Sequence, residues 1–65
     1  MSIDDQQKVR AAGFTIIRKD DHPVPRIKFS SGTNGGWSTL ENYKTKAERD
    51  RAFKELLEQK YIIAD

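Results

Sequence analysis

Arg26-Ile27-Lys28-Phe29-Ser30, then Gly32-Thr33-Asn34-Gly35-Gly36, then Trp37-Ser38-Thr39-Leu40-Glu41-Asn42-Tyr43 is the stretch that decides the fold. The first piece alternates polar and apolar side chains, the pattern of a strand with one face against a core. The glycine-rich piece reads as a hairpin loop, because Asn-Gly accepts positive φ at little cost. Trp37 to Tyr43 is then the returning strand. Upstream, Phe14 to Lys19 is rich in β-branched and aromatic residues and reads as a strand as well. Asp20-Asp21-His22-Pro23-Val24-Pro25 separates the two as a turn, since each proline removes a backbone donor and holds the preceding residue extended. Two successive hairpins predict an antiparallel meander.

Helices flank the meander. Ser2 with Asp5 three residues on forms an N-terminal capping box, Asp4 and Asp5 suit the positive end of the helix dipole, and Gly13 is a natural stop. The first helix is expected from about Ile3 to Ala12. Its apolar stripe is poor, so its stability must come from packing. Thr45-Lys46-Ala47-Glu48 is a second capping box, opening a helix to about Gln59. There Ala52, Phe53, Leu56 and Leu57 share one stripe flanked by Arg49 and Lys60, while Asp50–Lys54 and Lys54–Glu58 have i, i+4 spacing on the far side. Tyr61-Ile62-Ile63-Ala64 is a short strand or an apolar tail.

The predicted class is α+β in a single domain, residues 1–65. It comprises a short N-terminal helix, a three-stranded antiparallel meander, one longer amphipathic helix packed on one face, and the short C-terminal strand or tail. Ile27, Phe29 and Leu40 are expected to point toward the second helix. The first strand supplies either Phe14 and Ile16 or Ile17; both parities carry an isoleucine, so alternation leaves the choice open.

Composition narrows the function. Sixty-five residues bury only about 60% of the surface that the unfolded chain exposes. With no cysteine and one histidine, the chain has no thiol nucleophile, no thiolate site and too few soft ligands for zinc, so no metal, cofactor or catalytic residue is expected. Asp20-Asp21-His22 reads as an Asx-type turn, since three consecutive residues diverge rather than converge on a site. Ser30, Ser31 and Ser38 have no base nearby. The glycine-rich loop lacks the Gly-Lys-Ser/Thr ending of a phosphate-binding loop. No secretory pattern and no run near the roughly 20 apolar residues of a membrane span is present, so the expected location is the cytoplasm. The short length is also compatible with a product of a phage or mobile element.

Net charge is +2, from 12 basic and 10 acidic residues. The excess falls in residues 14–44, where Arg18, Lys19, Arg26, Lys28 and Lys44 face Asp20, Asp21 and Glu41. With Ile27, Phe29 and Leu40 inward, Arg26, Lys28, Trp37, Thr39, Glu41 and Tyr43 point outward, joined by Arg18 or Lys19. Cations neutralise phosphates, aromatic rings stack on bases, and arginine reads guanine bidentately. The candidate nucleic-acid-binding set is therefore Arg18, Lys19, Arg26, Lys28, Trp37, Thr39 and Tyr43. The competing arrangement places Trp37 in the core beneath the first helix.

Three strands, a glycine-containing hairpin and a helix entered through an aromatic-x-Thr-Lys-Ala-Glu step resemble two small sheet-plus-helix DNA-binding families. These are the AP2-type domain and the arm-binding domain of tyrosine-type integrases. The matching residues are Trp37, Tyr43, Thr45, Lys46, Ala47 and Glu48, and the resemblance covers about residues 14–58. It implies an exposed sheet face entering the major groove, with Arg26, Lys28, Trp37 and Thr39 on DNA. Duplex DNA is thus the expected partner of a non-catalytic module. The alternative is a protein partner or a homodimer, paired through the third strand or through Tyr61 to Ala64 at an open sheet edge. No membrane and no small-molecule substrate is expected.

Overall fold

The computed structural model describes residues 1–32 and 35–65. Its elements in chain order are α1 (Ile3–Ala11), β1 (Thr15–Asp20), β2 (Arg26–Ser30), β3 (Ser38–Asn42), α2 (Lys46–Leu56) and β4 (Ile62–Ala64). The chain is α+β, with the meander β1–β2–β3 and a fourth strand added at the end. Thr33 and Asn34, half of the expected hairpin loop, lie outside the described residues.

Local chemistry accounts for the helix ends. Ser2 Oγ accepts from the Asp5 amide at 3.1 Å, and Thr45 Oγ1 accepts from the Glu48 amide at 3.1 Å. Each satisfies one of the donors that a helix start leaves free. α1 closes in a Schellman motif: the Gly13 amide bonds the Arg10 carbonyl, the Phe14 amide bonds the Val9 carbonyl, and Gly13 has φ of 96°. α2 is shorter than its sequence suggests. It gives way after Leu56 to tighter turns, with the Glu58 and Gln59 amides on the Glu55 and Leu56 carbonyls. Glu58 thus leaves the helix, and Asp50 pairs with Lys19 and Arg49 in place of Lys54.

The sheet order is β3-β2-β1-β4. β1 and β2 are antiparallel, as are β2 and β3, while β4 runs parallel to β1 with Ile16 opposite Ile63. Of the expected Tyr61–Ala64 segment, Ile62–Ala64 is therefore a strand of this chain's own sheet, flanked by the Thr15 amide on the Tyr61 carbonyl and the Asp65 amide on the Ile17 carbonyl, while Tyr61 is a turn residue with φ of 68°. The Tyr61 ring meets Phe14 edge-on at 5.4 Å.

Helices lie on both faces, which resolves the parity of β1. Ile16 and Ile17 are both buried, as is Ile27. Ile16 pairs with Ser30, and Arg10 of α1 reaches Ser30, so this is the α1 face. Ile17 and Lys19 pair with Phe29 and Ile27, and Lys19 lies 5.1 Å over Phe53, so this is the α2 face. Leu40 lies on the α2 side as expected, in a groove with Ala52 and Leu56, but stays 44% exposed. Ile27 faces Glu41 and Lys28 faces Thr39, so Leu40 is an extra residue in β3 and resets the alternation beyond it.

Two arginines are buried where charge patterning alone suggests solvent. Arg49 donates to the Asp20 carbonyl at 3.0 Å, to Asp50 and to Asp21, and so ties the 20–25 turn to the start of α2. The Asx reading of that turn holds, with the His22 amide 3.4 Å from Asp20 Oδ1. Among the described residues no helix is long and apolar enough to cross a membrane.

Candidate nucleic-acid interface

Pairing partners across a sheet share a face, so register alone builds the site. Arg18 lies opposite Lys28, Asp20 opposite Arg26, Lys28 opposite Thr39 and Arg26 opposite Asn42. Trp37 joins them: the Arg18 guanidinium carbon stands 3.6 Å from the centre of the indole. Five of the seven residues singled out from the sequence thus come together on the α1 face, beyond the end that α1 itself covers: Arg18, Arg26, Lys28, Trp37 and Thr39. Trp37 is half-buried, and what lies on its ring is Arg18.

Lys19 and Tyr43 are not part of this face. Lys19 alternates to the α2 side, where it rests on Phe53 and pairs with Asp50 at 3.3 Å. Tyr43 lines a groove against α2 together with Leu40 and Glu41. The cause is the extra residue at Leu40. Before it, Trp37 and Thr39 keep the expected outward phase. After it, Glu41 pairs with the inward Ile27, and Asn42 takes the outward place beside Arg26. The same slip takes the Glu41 carboxylate off the cationic face.

Asp20 stands 3.9 Å from Lys28 Nζ and Asp65 stands 3.4 Å from an Arg18 nitrogen. Both pairs are half-buried, with long N–O separations and water still reaching them, so a phosphate can compete for either cation. Arg18 Nε is shut off from solvent with no hydrogen-bond partner among the described residues. The guanidinium stands over the indole with Asp65 beside it, a cation–π arrangement.

Arg10 is a positioning residue that the sequence did not single out. It is 5% exposed; its Nε donates to the Gly32 carbonyl at 3.1 Å and its Nη1 to Ser30 Oγ at 3.3 Å. It thereby ties α1 to the end of β2 and to Gly32 just beyond it. Nothing in the α1 sequence marks it, because its partners lie 20 and 22 residues away. Among the described residues no group of three His, Cys, Asp or Glu could hold a metal ion. Compared with family models, curated proteins and solved structures, the chain matches none.

Proposed function

We propose that this protein is a non-catalytic nucleic-acid-binding module that docks the Arg18–Arg26–Lys28–Trp37–Thr39 face on duplex DNA. The observation that carries the reading is the register: three cations, an indole and a hydroxyl share one sheet face from which Glu41 is turned away, leaving Asp20 and Asp65 as the carboxylates that a phosphate must displace from Lys28 and Arg18. Strands in a sheet lie about 4.8 Å apart, so β1 to β3 span about 10 Å, within the roughly 12 Å of a B-DNA major groove. Lys28 and Arg26 neutralise phosphates or reach base edges, Thr39 offers a hydroxyl between them, and the stacked Arg18–Trp37 pair presents a flat cationic surface. The resemblance to AP2-type and integrase arm-binding domains supports the same docking face. Location in the cytoplasm is part of this proposal.

The test is the affinity for a labelled duplex measured against salt. Wild-type binding should weaken steeply with salt, and each phosphate-contacting cation removed should lower the slope of log K against log salt by about 0.9. Arg26→Gln and Lys28→Gln should each weaken binding, while Lys19→Gln, on the α2 side, should leave the slope unchanged. Equal effects from all three would refute the assigned face.

A further inference from the structure

The opposite face of the molecule holds a second surface, distinct from the cationic one. β3 pairs on one side with β2 and ends the sheet on the other, and all five of its residues are exposed. It contains neither proline nor lysine, and of the devices that protect such edges it carries only the bulge at Leu40 and the charge of Glu41. A groove of about 370 Å³ runs between this strand and α2, with Leu40, Ala52 and Leu56 in its apolar wall and Glu41, Glu55 and Tyr43 around it.

We infer that the open edge of β3 and the groove beside it take up an extended segment of a partner protein as an added strand, with apolar and basic side chains facing the groove. Three observations converge on that occupant. An edge strand with free backbone donors and acceptors binds main chain, and pockets beside it select alternate side chains. The extra residue in β3 leaves Leu40 in the wall of the groove that Leu56 also lines, and bulges re-aim side chains in this way at functional edges. The charged lining is entirely acidic, in a chain whose net charge is +2. Burial, and then Glu41 and Glu55, push the Tyr43 phenol pKa up, as expected where carboxylates crowd a partly dry groove. A basic side chain entering there relieves that crowding, whereas an acidic one adds to it.

The experiment titrates isotope-labelled protein with a blocked peptide about eight residues long, within the usual length of a strand. One face of the peptide alternates leucine and lysine, and the other is threonine. The expected result is slowed amide exchange confined to Ser38–Asn42, with shifts at Leu56 and Glu55. Glutamate in place of the peptide's lysines should abolish binding. The double variant Glu41→Lys/Glu55→Lys, changed only at exposed positions, should weaken the lysine peptide by about tenfold and accept the glutamate peptide instead. The inference is overturned if the peptide leaves Ser38–Asn42 unchanged, if it perturbs the Arg18–Lys28 face instead, or if charge exchange has no effect. Protection of Ser38–Asn42 that rises with protein concentration and sediments as a dimer would also overturn it, by showing a second copy on the edge. The titration contains no nucleic acid, so its outcome is independent of the DNA-binding proposal.

Discussion

Replacing Arg10 by methionine and Ser30 by alanine, singly and together, isolates the contact that joins α1 to the sheet. Arg10 is 5% exposed and Ser30 is 1% exposed, and Nη1 of one donates to Oγ of the other at 3.3 Å. Methionine keeps an unbranched stem in the same space and removes only the guanidinium. Two effects then oppose each other. Losing bonds from a charged donor to Ser30 and to the Gly32 carbonyl costs about 1.5–3 kcal/mol each. Taking a desolvated cation out of the interior offsets part of that. Water replaces the donor at exposed Gly32 but cannot reach Ser30, whose hydroxyl is left without this partner. Arg10→Met should therefore destabilise by about 2 kcal/mol, and at about 4–8 °C per kcal/mol in a domain this small the melting temperature should fall by about 8–16 °C. Ser30→Ala should cost about 1 kcal/mol, and the double variant should be no worse than Arg10→Met alone, giving a coupling of about 1 kcal/mol. The assay is thermal and urea unfolding followed by circular dichroism. Additive single effects would refute the reasoning, because they would mean that the contact contributes nothing.

Ile16→Ala and Ile17→Ala should each cost about 2–5 kcal/mol, equally severe although on opposite faces, while Leu40→Ala should cost far less; urea midpoints compare them. The hydrogen bond from Arg49 holds the Asp21 carboxyl below its ordinary pKa. For Asp50, burial acts upward but is outweighed by Lys19 and Arg49, so its pKa is lowered as well. Both groups thus bind protons more readily unfolded than folded. Their stabilisation should be intact above the ordinary carboxylate range near 4 and be lost as pH falls through it; Asp21→Asn should flatten urea midpoints measured between about pH 6 and pH 3. In a Tyr61→Phe background the remaining phenol, Tyr43, should titrate above about 10 by ultraviolet absorbance. Glu41→Gln with Glu55→Gln should bring it part of the way back, because burial is the larger cause.

What the sequence conveyed was local. The N-caps at Ser2 and Thr45, the stop at Gly13 and the Asx turn at Asp20 depend on neighbours a few residues apart, and each forms as read; Arg26 to Ser30 is a strand as read, but Ser30, expected on the open face, is buried under α1. Two isoleucines in succession left the parity of β1 open because both were needed: the sheet is covered on both sides. The phase of β3 was misread after Leu40 because a one-residue slip is set by pairing with β2, and nothing within Trp37 to Tyr43 announces it. That slip separates the candidate site into the part that assembled, Arg18, Arg26, Lys28, Trp37 and Thr39, and the part that did not, Lys19 and Tyr43. The roles of Arg10 and Arg49 were hidden for a related reason. A charged residue on a helix reads as solvated until distant carbonyls and hydroxyls are seen to surround it.

The central claim is that one sheet face meets DNA, and the most direct measurement is a chemical-shift map of the labelled protein during titration with a short duplex at low salt. The account predicts shifts at the Trp37 indole N–H and at the amides of Arg18, Arg26, Lys28 and Thr39, with Lys19, Tyr43 and the α2 residues unmoved, and all shifts reversed by added salt. Shifts centred on the β3–α2 groove, or none at any salt, would contradict it.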